Sequence, residues 1–196
     1  MELKVDWCSH EAAKHACLNW HYSRSIPVGK LVKLGAWENE RFIGAIIFSR
    51  GANSRIGEPY NLGQTEVCEL TRVALRAHKE PVTKILTHAI KMLKQHCQEL
   101  RLIVSYADLD QGHTGTIYQA GNWLYVGTTL FNSTDGSYII NGKREHGRTI
   151  SSRYGGLRGG GTAMTRLEWL KLNVDPNAEQ YTTKGKHKYL MHWTKE

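Results

Sequence analysis

Side chains that can move protons or hold a polar ligand follow directly after a buried strand in SYADLDQGHTGTIYQAGNWLYVG, residues 105–127. The apolar run Leu102–Val104 ends there, and Tyr106, Asp108 and His113 come next. Polar groups at the end of a buried strand need hydrogen-bond partners or water. Packing alone does not explain so many of them, and the stretch therefore predicts a functional site.

Each candidate in this stretch has a chemical role and a structural alternative. Asp108 can act as a general base, or it can cap the turn in DLDQG. Tyr106 and Tyr118 offer flat faces for a base or phenols that act as acids, although Tyr118 could instead pack a helix onto a sheet. Ser105 is a candidate nucleophile, but no strained GxSxG elbow surrounds it.

Arg72 lies in another predicted strand, CELTRVAL, on the face that also carries Leu70. A guanidinium on an apolar strand face is costly unless it is paired. Arg72 could pair with Asp108 or Glu69, or it could hold a phosphate of a cofactor or of DNA. We therefore include Arg72 in the predicted site.

The first predicted helix also carries groups that could bind a metal. Cys17 and His21 are four residues apart, and His10 lies on the same side. This spacing can bring two ligands together, but it also suits a polar or capped helix end. His21 could instead line the substrate cleft.

The order of apolar patterns indicates an α/β fold. A helix at 9–21, a hairpin at 31–50 and a strand at 67–75 precede the strongest amphipathic helix, 81–99. Strands at 100–107, 122–129, 137–142 and 187–193 follow, with short helices at 115–121 and 163–172. Parallel strands place ligands at their carboxyl ends, and the stretch SYAD lies at such an end.

Length and composition are those of one globular domain, residues 1–196, with 40% hydrophobic and 22% charged residues. No apolar run is long enough to cross a membrane. The N-terminus lacks an apolar signal-peptide core, and the four cysteines form no CxxC pair. We therefore expect a cytoplasmic protein without a membrane partner.

A net charge of +8 predicts a polyanionic partner, and nucleic acid is the first candidate. The basic, glycine-rich segment 143–161 is expected to be mobile or to wrap around a ligand. Its predicted DNA contacts, together with those of the later lysine cluster, are Arg144, Arg148, Arg153, Tyr154, Arg158, Lys184 and Lys186. The arginines suit the phosphate backbone, and Tyr154 could stack beside a displaced base. A solvated charge run is the alternative.

Two resemblances follow from these motifs. IYQAGNWLYVG after a strand resembles the second half of a GNAT-type N-acyltransferase. CELTRVAL, the stretch 105–127 and the terminal KHKYLM together resemble the bacteriophage Mom family, over residues 15–191. The resemblance implies a single-domain, GNAT-like mixed twisted sheet flanked by helices.

The Mom resemblance implies an enzyme that converts the N6 amine of adenine in double-stranded DNA to a carbamoylmethyl (acetamido) form. Such DNA is protected from host restriction, which places the enzyme in the cytoplasm of a bacterial host. The resemblance also implies an acyl donor such as acetyl-CoA, with iron as a further partner. Plain acetyl transfer would not supply the carbamoyl nitrogen.

The segment before the long helix differs from that of acetyl-CoA enzymes of this fold. Those enzymes bind the diphosphate of the cofactor on a glycine-rich turn at this place. The corresponding segment here, LRAHKEPVTK, has no glycine. Arg76, Lys79 and Lys84 could bind the cofactor by charge instead. An amide-bearing or aminoacyl donor is the alternative to acetyl-CoA.

Two other functions compete with DNA modification. A GNAT-type N-acetyltransferase acting on a protein or a small amine would share the fold, and a DNA-binding protein without activity would share the charge. An S-adenosylmethionine-dependent methyltransferase is disfavoured, because neither an FxGxG-like loop nor a D/N-P-P-Y motif is present.

Overall fold

The structure is a computed structural model that describes residues 2–51, 55–154 and 164–193, without the side chain of Arg148. The strands are Leu3–Trp7 (β1), Leu31–Glu38 (β2), Arg41–Ser49 (β3), Val67–Leu75 (β4), Leu102–Asp108 (β5), Leu124–Thr129 (β6), Ser133–Ile140 (β7), Lys143–His146 (β8), Glu179–Thr183 (β9) and Lys186–His192 (β10). The helices are His10–Trp20 (α1), Val82–His96 (α2), Thr116–Gln119 (α3), Gly147–Tyr154 (α4) and Arg166–Asn173 (α5).

Contacts divide the chain into two compact units, residues 1–127 with 187–196 and residues 128–186. The sequence prediction of one domain over residues 1–196 stays a prediction. Among the described residues, no helix combines the length and the apolar character that a membrane span requires.

The first unit is built on a seven-stranded sheet in the order β1-β2-β3-β4-β5-β10-β6. Neighbours from β1 to β4 are antiparallel, and β4 pairs with β5 in parallel. The predicted hairpin is confirmed, and its turn residues Asn39 and Glu40 have φ values of 46° and 66°. Positive φ at both central residues matches the twist of the two strands.

Helix α2 covers one face of this sheet and follows the predicted amphipathic pattern. Its buried residues are Ile85, Leu86, Ala89, Ile90 and Leu93. They pack with sheet residues that include Ile46, Leu70 and Ile103. Burying each large aliphatic side chain stabilises the fold by about 1.5–3 kcal/mol, so this face anchors the crossover between β4 and β5.

Helix α1 packs against a second cluster of the same unit. Ala13, Ala16 and Cys17 contact Ala45, Ile47 and Ala74, all fully buried. The predicted N-cap is confirmed, because Ser9 accepts a hydrogen bond from the Ala12 N–H at 3.1 Å. The apolar contacts hold α1 against β3 and β4.

The second unit is a three-stranded antiparallel sheet, β8-β7-β9, with α4 and α5. Tyr138, Ile140, Ile150 and Leu170 form its small core. Of the segment 143–161, which was expected to be mobile or to wrap around a ligand, residues 143–154 form β8 and α4. Residues 155–161 lie outside the described residues, and ligand contact by the segment stays a prediction. Buried Ile150 and half-buried Tyr154 give α4 an apolar side. The many basic residues of the segment made this side hard to recognise in the sequence.

Candidate active site where β4 and β5 separate

The predicted site at the carboxyl end of β5 coincides with a cavity of about 450 Å³. Parallel pairing of β4 and β5 stops at Leu70 and Ser105, after which the strands diverge. The cavity is lined by residues of the α1–β2 loop, of β4 and α2, and of β5 to α3. Its place agrees with the rule that ligands bind at the carboxyl ends of parallel strands.

Ser105 joins the two strands at the point where they separate. Its buried hydroxyl lies 2.9 Å from the Leu70 carbonyl oxygen and 2.8 Å from the Tyr118 phenol oxygen. The carbonyl can only accept, and a hydroxyl has one hydrogen to donate. Ser105 therefore donates to Leu70 and accepts from Tyr118, an arrangement that positions Tyr118 and gives Ser105 no base.

Tyr118 lines the cavity and is 7% exposed. Burial raises the pKa of its phenol to about 12, an effect that Ser105 partly offsets. The phenol is therefore protonated at neutral pH and can act as a donor or an acid. Its ring packs on Trp123 and Tyr189 at centroid distances of 5.2 and 5.0 Å.

Glycine at position 115 makes this packing possible. Gly115 precedes α3 with a φ of 84°, and a Cβ there would collide with the Tyr189 ring. The Tyr189 hydroxyl donates to the Thr114 carbonyl at 3.0 Å. The start of α3 thus lies against the Tyr189 ring at a distance that only glycine allows.

Arg72 also lines the cavity, from β4. Its Nη1 donates to the Thr71 carbonyl at 2.7 Å, and its Nε donates to the Ser25 carbonyl at 3.4 Å. Within the described part of the chain no carboxylate forms an ion pair with it, so the predicted pairing with Asp108 or Glu69 is not observed. A guanidinium has five N–H groups. These two hydrogen bonds use two of them, and the others can donate to an anion.

Aromatic rings gather at the cavity wall beside Arg72. The His21 ring lies 4.3 Å from that of Tyr22, which lies 5.1 Å from that of His113. All three residues line the cavity, and Tyr22 is 45% exposed. An exposed aromatic face of this kind can stack on a planar ring.

His21 is a neutral donor in this group. Burial, together with the smaller effects of the charges of Arg72 and His113, lowers its pKa to about 4. The Ser23 N–H donates to Nδ1 at 3.1 Å, which leaves the ring hydrogen on Nε2. His21 can therefore donate one hydrogen bond at neutral pH without carrying charge.

Tyr106 lines the same cavity from β5, and its phenol is also protonated. Burial raises its pKa to about 12, with smaller contributions from Glu69 and Tyr60. Sequence reasoning thus correctly grouped Tyr106 and Tyr118. It missed His78 and Thr71, which complete the wall, because neither residue stands out from its neighbours in the sequence.

Asp108 is not among the described residues that line the cavity. Side chains alternate along a strand, so Asp108 lies on the same face of β5 as Tyr106, but it is the last residue of the strand. Its carboxylate accepts from the Asp110 N–H at 3.0 Å and caps the following 3₁₀ turn. This geometry favours the capping interpretation over the catalytic base.

The capping role separates two substitutions of Asp108. Asp108→Asn keeps an acceptor oxygen, so we expect it to retain activity within a few-fold of the unsubstituted chain. Asp108→Ala removes the cap and should lower the free energy of unfolding by about 1 kcal/mol. Thermal unfolding and quantitation of the modified nucleoside measure the two effects. An Asn variant that folds normally but loses about 10²-fold in activity would instead identify a catalytic carboxylate.

Cys17 has the environment of a core residue. It is a fully buried residue of α1. Burial raises the pKa of its thiol, which therefore does not ionise readily. Among the described residues, no group of three or more His, Cys, Asp or Glu side chains could hold a metal ion. The structure therefore gives the predicted iron no support.

The residues predicted to bind a cofactor by charge lie around the turn before α2. The Arg76 guanidinium lies 5.5 Å from the Trp20 ring centroid. The Lys84 amine pairs with Glu80 at 2.9 Å. Lys79 is exposed.

The residues predicted to contact DNA belong to the second unit, and several have intramolecular partners. Arg144 pairs with Asp135 at 2.6 Å and lies 3.9 Å from the Tyr181 ring centroid. Arg153 pairs with Glu145 at 2.8 Å. The Tyr154 ring lies 5.7 Å from that of Trp169, which favours a packing role.

The remaining predicted DNA contacts are less defined. Lys184 is exposed and Lys186 is half-buried. Arg158 and the side chain of Arg148 lie outside the described residues. DNA binding by this set stays a prediction.

Comparison with known proteins gives a family match and structures of similar fold. The model of the Mom protein family matches residues 2–196. The methylcarbamoylase mom of Escherichia phage Mu is 26% identical over 166 residues, which cover 81% of this chain and 66% of that protein. The chain thus spans slightly less than two thirds of that relative's length.

Two solved structures illustrate the fold. A variant of the SpeG spermidine N-acetyltransferase from Vibrio cholerae has a TM-score of 0.54 and 9% identity, covering 97% of this chain and 93% of its own. The N-acetyltransferase PseH from Campylobacter jejuni has a TM-score of 0.48 and 9% identity, covering 98% and 100%. The first likeness confirms the predicted GNAT-like fold.

Proposed function

The chain belongs to the Mom protein family, and on that premise we propose that it modifies the N6 amine of adenine in double-stranded DNA. The product is the carbamoylmethyl form, which protects phage DNA from host restriction endonucleases inside the bacterial cell. The phage Mu relative is named a methylcarbamoylase, which supports this choice. The net charge of +8 supports a polyanionic substrate.

The cavity between β4 and β5 is the observation that carries the proposal. Its volume of about 450 Å³ falls in the range of small-molecule sites. It brings together a guanidinium without a carboxylate partner among the described residues, two protonated phenols and an exposed aromatic face. These groups suit a purine nucleotide better than an aliphatic amine. To reach such a cavity, adenine must leave the base stack.

The side chains divide the chemical work. Adenine N6 is a poor nucleophile because its lone pair is delocalised into the ring, so orientation and charge stabilisation matter most. Tyr22 stacks on the base and His21 donates a hydrogen bond to it. The phenol of Tyr118 turns its hydrogen from Ser105 to the oxygen of the donor molecule on which negative charge develops. Arg72 binds an anionic group of the reactants.

We assign the donor only as an amide-bearing molecule with a leaving group on the carbon next to its carbonyl group. N6 forms a bond to that methylene carbon, which yields the carbamoylmethyl group. The leaving group departs with the bonding electron pair, and the N6 proton passes to solvent or to that group. No step is assigned to coenzyme A or to iron. A plain acetyl group would leave the carbamoyl nitrogen without a source.

The proposal predicts a new nucleoside in cells that express the chain. Host DNA should resist several restriction enzymes that read adenine, and digestion should release a modified deoxyadenosine detectable by mass spectrometry. An empty vector supplies the control. Unchanged deoxyadenosine in cells that contain folded protein would refute the proposal. Rapid donor turnover with an amine and no DNA would instead favour an N-acetyltransferase of a protein or small amine.

A further inference from the structure

A carboxylate from β2 occupies the turn that leads from β4 into α2. Glu38 Oε1 accepts from the Lys79 N–H at 2.9 Å and from the Glu80 N–H at 2.6 Å. Its Oε2 lies 3.1 Å from the same Lys79 nitrogen. These are the short, charge-assisted bonds that a bound anion makes to backbone amides.

The amides hold this carboxylate in its ionised form. Hydrogen bonds from Glu80 and Lys79 lower the pKa of Glu38, against a smaller opposing effect of burial. At neutral pH the turn therefore already contains a full negative charge. A second anion at the same amides would have to displace Glu38 or accept repulsion from it.

The rest of the turn offers a phosphate little compensation. Pro81 has no N–H, and the Arg76 N–H donates to the Ile43 carbonyl at 2.9 Å. A second carboxylate, that of Glu80, is present and holds the Lys84 amine. The turn thus combines two acidic side chains with the already bonded amides of Arg76, Lys79 and Glu80.

We infer that Glu38 is the resident anion of this turn, and that the chain does not bind the diphosphate of a coenzyme A-type donor there. Coenzyme A binds this fold through the amides of a glycine-rich turn. The turn in this chain, with Glu38 on its amides, does not fit that coenzyme. Glu38 instead ties the end of β2 to the start of α2. The donor of the proposed reaction is held by other contacts, a conclusion that does not depend on which base is modified.

Amide NMR of the full chain tests the inference with coenzyme A and inorganic pyrophosphate as probes. In the unsubstituted protein, neither probe should shift the Lys79 and Glu80 amide resonances at neutral pH. In Glu38→Ala these amides lose their anion, and pyrophosphate should shift them with at least about tenfold tighter binding. Glu40→Ala removes the same charge from the exposed hairpin turn and should behave like the unsubstituted chain.

Two results would overturn the inference. One is saturable binding of coenzyme A to the unsubstituted chain with shifts at Lys79 and Glu80. The other is a Glu38→Ala variant in which pyrophosphate still leaves both amides unchanged, because the turn would then not be an anion site even when vacated. Glu38→Gln keeps the side-chain size and replaces the Ala variant if that one does not fold. The readout is binding, so it stays informative even if adenine is not the substrate.

Discussion

Tyr118→Phe should lower the yield of modified deoxyadenosine by about 10²-fold or more, in the range expected for loss of a general acid. The substitution keeps the ring that packs on Trp123 and Tyr189 and removes only the phenol oxygen. The phenol is a donor because its pKa is raised to about 12. Nucleoside quantitation, normalised to the amount of folded protein, measures the effect.

Tyr189→Phe is the matched control. Tyr189 is 1% exposed and its hydroxyl is also hydrogen-bonded, but to the Thr114 carbonyl rather than into the cavity. We expect a loss of stability of about 1 kcal/mol and activity within a few-fold of the unsubstituted chain. Equal losses in both variants would mean that packing of α3, and not the Tyr118 phenol, limits the reaction.

Arg72 carries the second large expected effect. Arg72→Gln should reduce modification by about 10²-fold, because a charged partner of a desolvated anion is removed. Arg72→Lys should recover little of this loss, since an ammonium cannot reproduce the planar set of donors. Arg41→Gln, at an exposed position of β3, removes the same charge and should leave modification nearly unchanged.

Histidine NMR shows whether the Arg72 variant acts locally. The charge of Arg72 is one cause of the lowered His21 pKa, after burial. Removing that charge favours the protonated ring, so the His21 pKa should rise above its value of about 4 in Arg72→Gln. Full activity in Arg72→Gln together with this rise would exclude Arg72 from substrate binding.

The elements with strong periodicity were predictable from the sequence. The amphipathic pattern of α2 and the hairpin around Asn39 and Glu40 depend on local rules, and the structure confirms both. Strands β1 and β9 were not predicted. Each has only five residues, although Leu3, Val5 and Trp7 of β1 do alternate with polar residues.

The position of the candidate site was predictable from the sequence, but the full set of residues that line it was not. A strand that ends in polar residues identified the carboxyl end of β5, where Tyr106 and Tyr118 do line a cavity with Arg72. Asp108 was grouped with them because it is near in sequence. Asp108 is the last residue of β5, and its carboxylate accepts from the Asp110 N–H and caps the turn that follows.

Long-range contacts account for what sequence reasoning missed. Glu38 reaches the turn before α2 across 41 residues of chain. In the sequence it is one of two glutamates in a hairpin turn, and nothing distinguishes it from Glu40. Only the antiparallel order of β2, β3 and β4 brings its carboxylate to the Lys79 amide.

The most direct test of the cavity's role is the nucleoside content of DNA from cells expressing the unsubstituted, Tyr118→Phe and Tyr189→Phe chains at equal folded levels. We expect a deoxyadenosine with a carbamoylmethyl group on N6 from the unsubstituted and Tyr189→Phe chains, and almost none from the Tyr118→Phe chain. Equal amounts of that nucleoside from all three chains would contradict the assignment of the cavity between β4 and β5 as the active site.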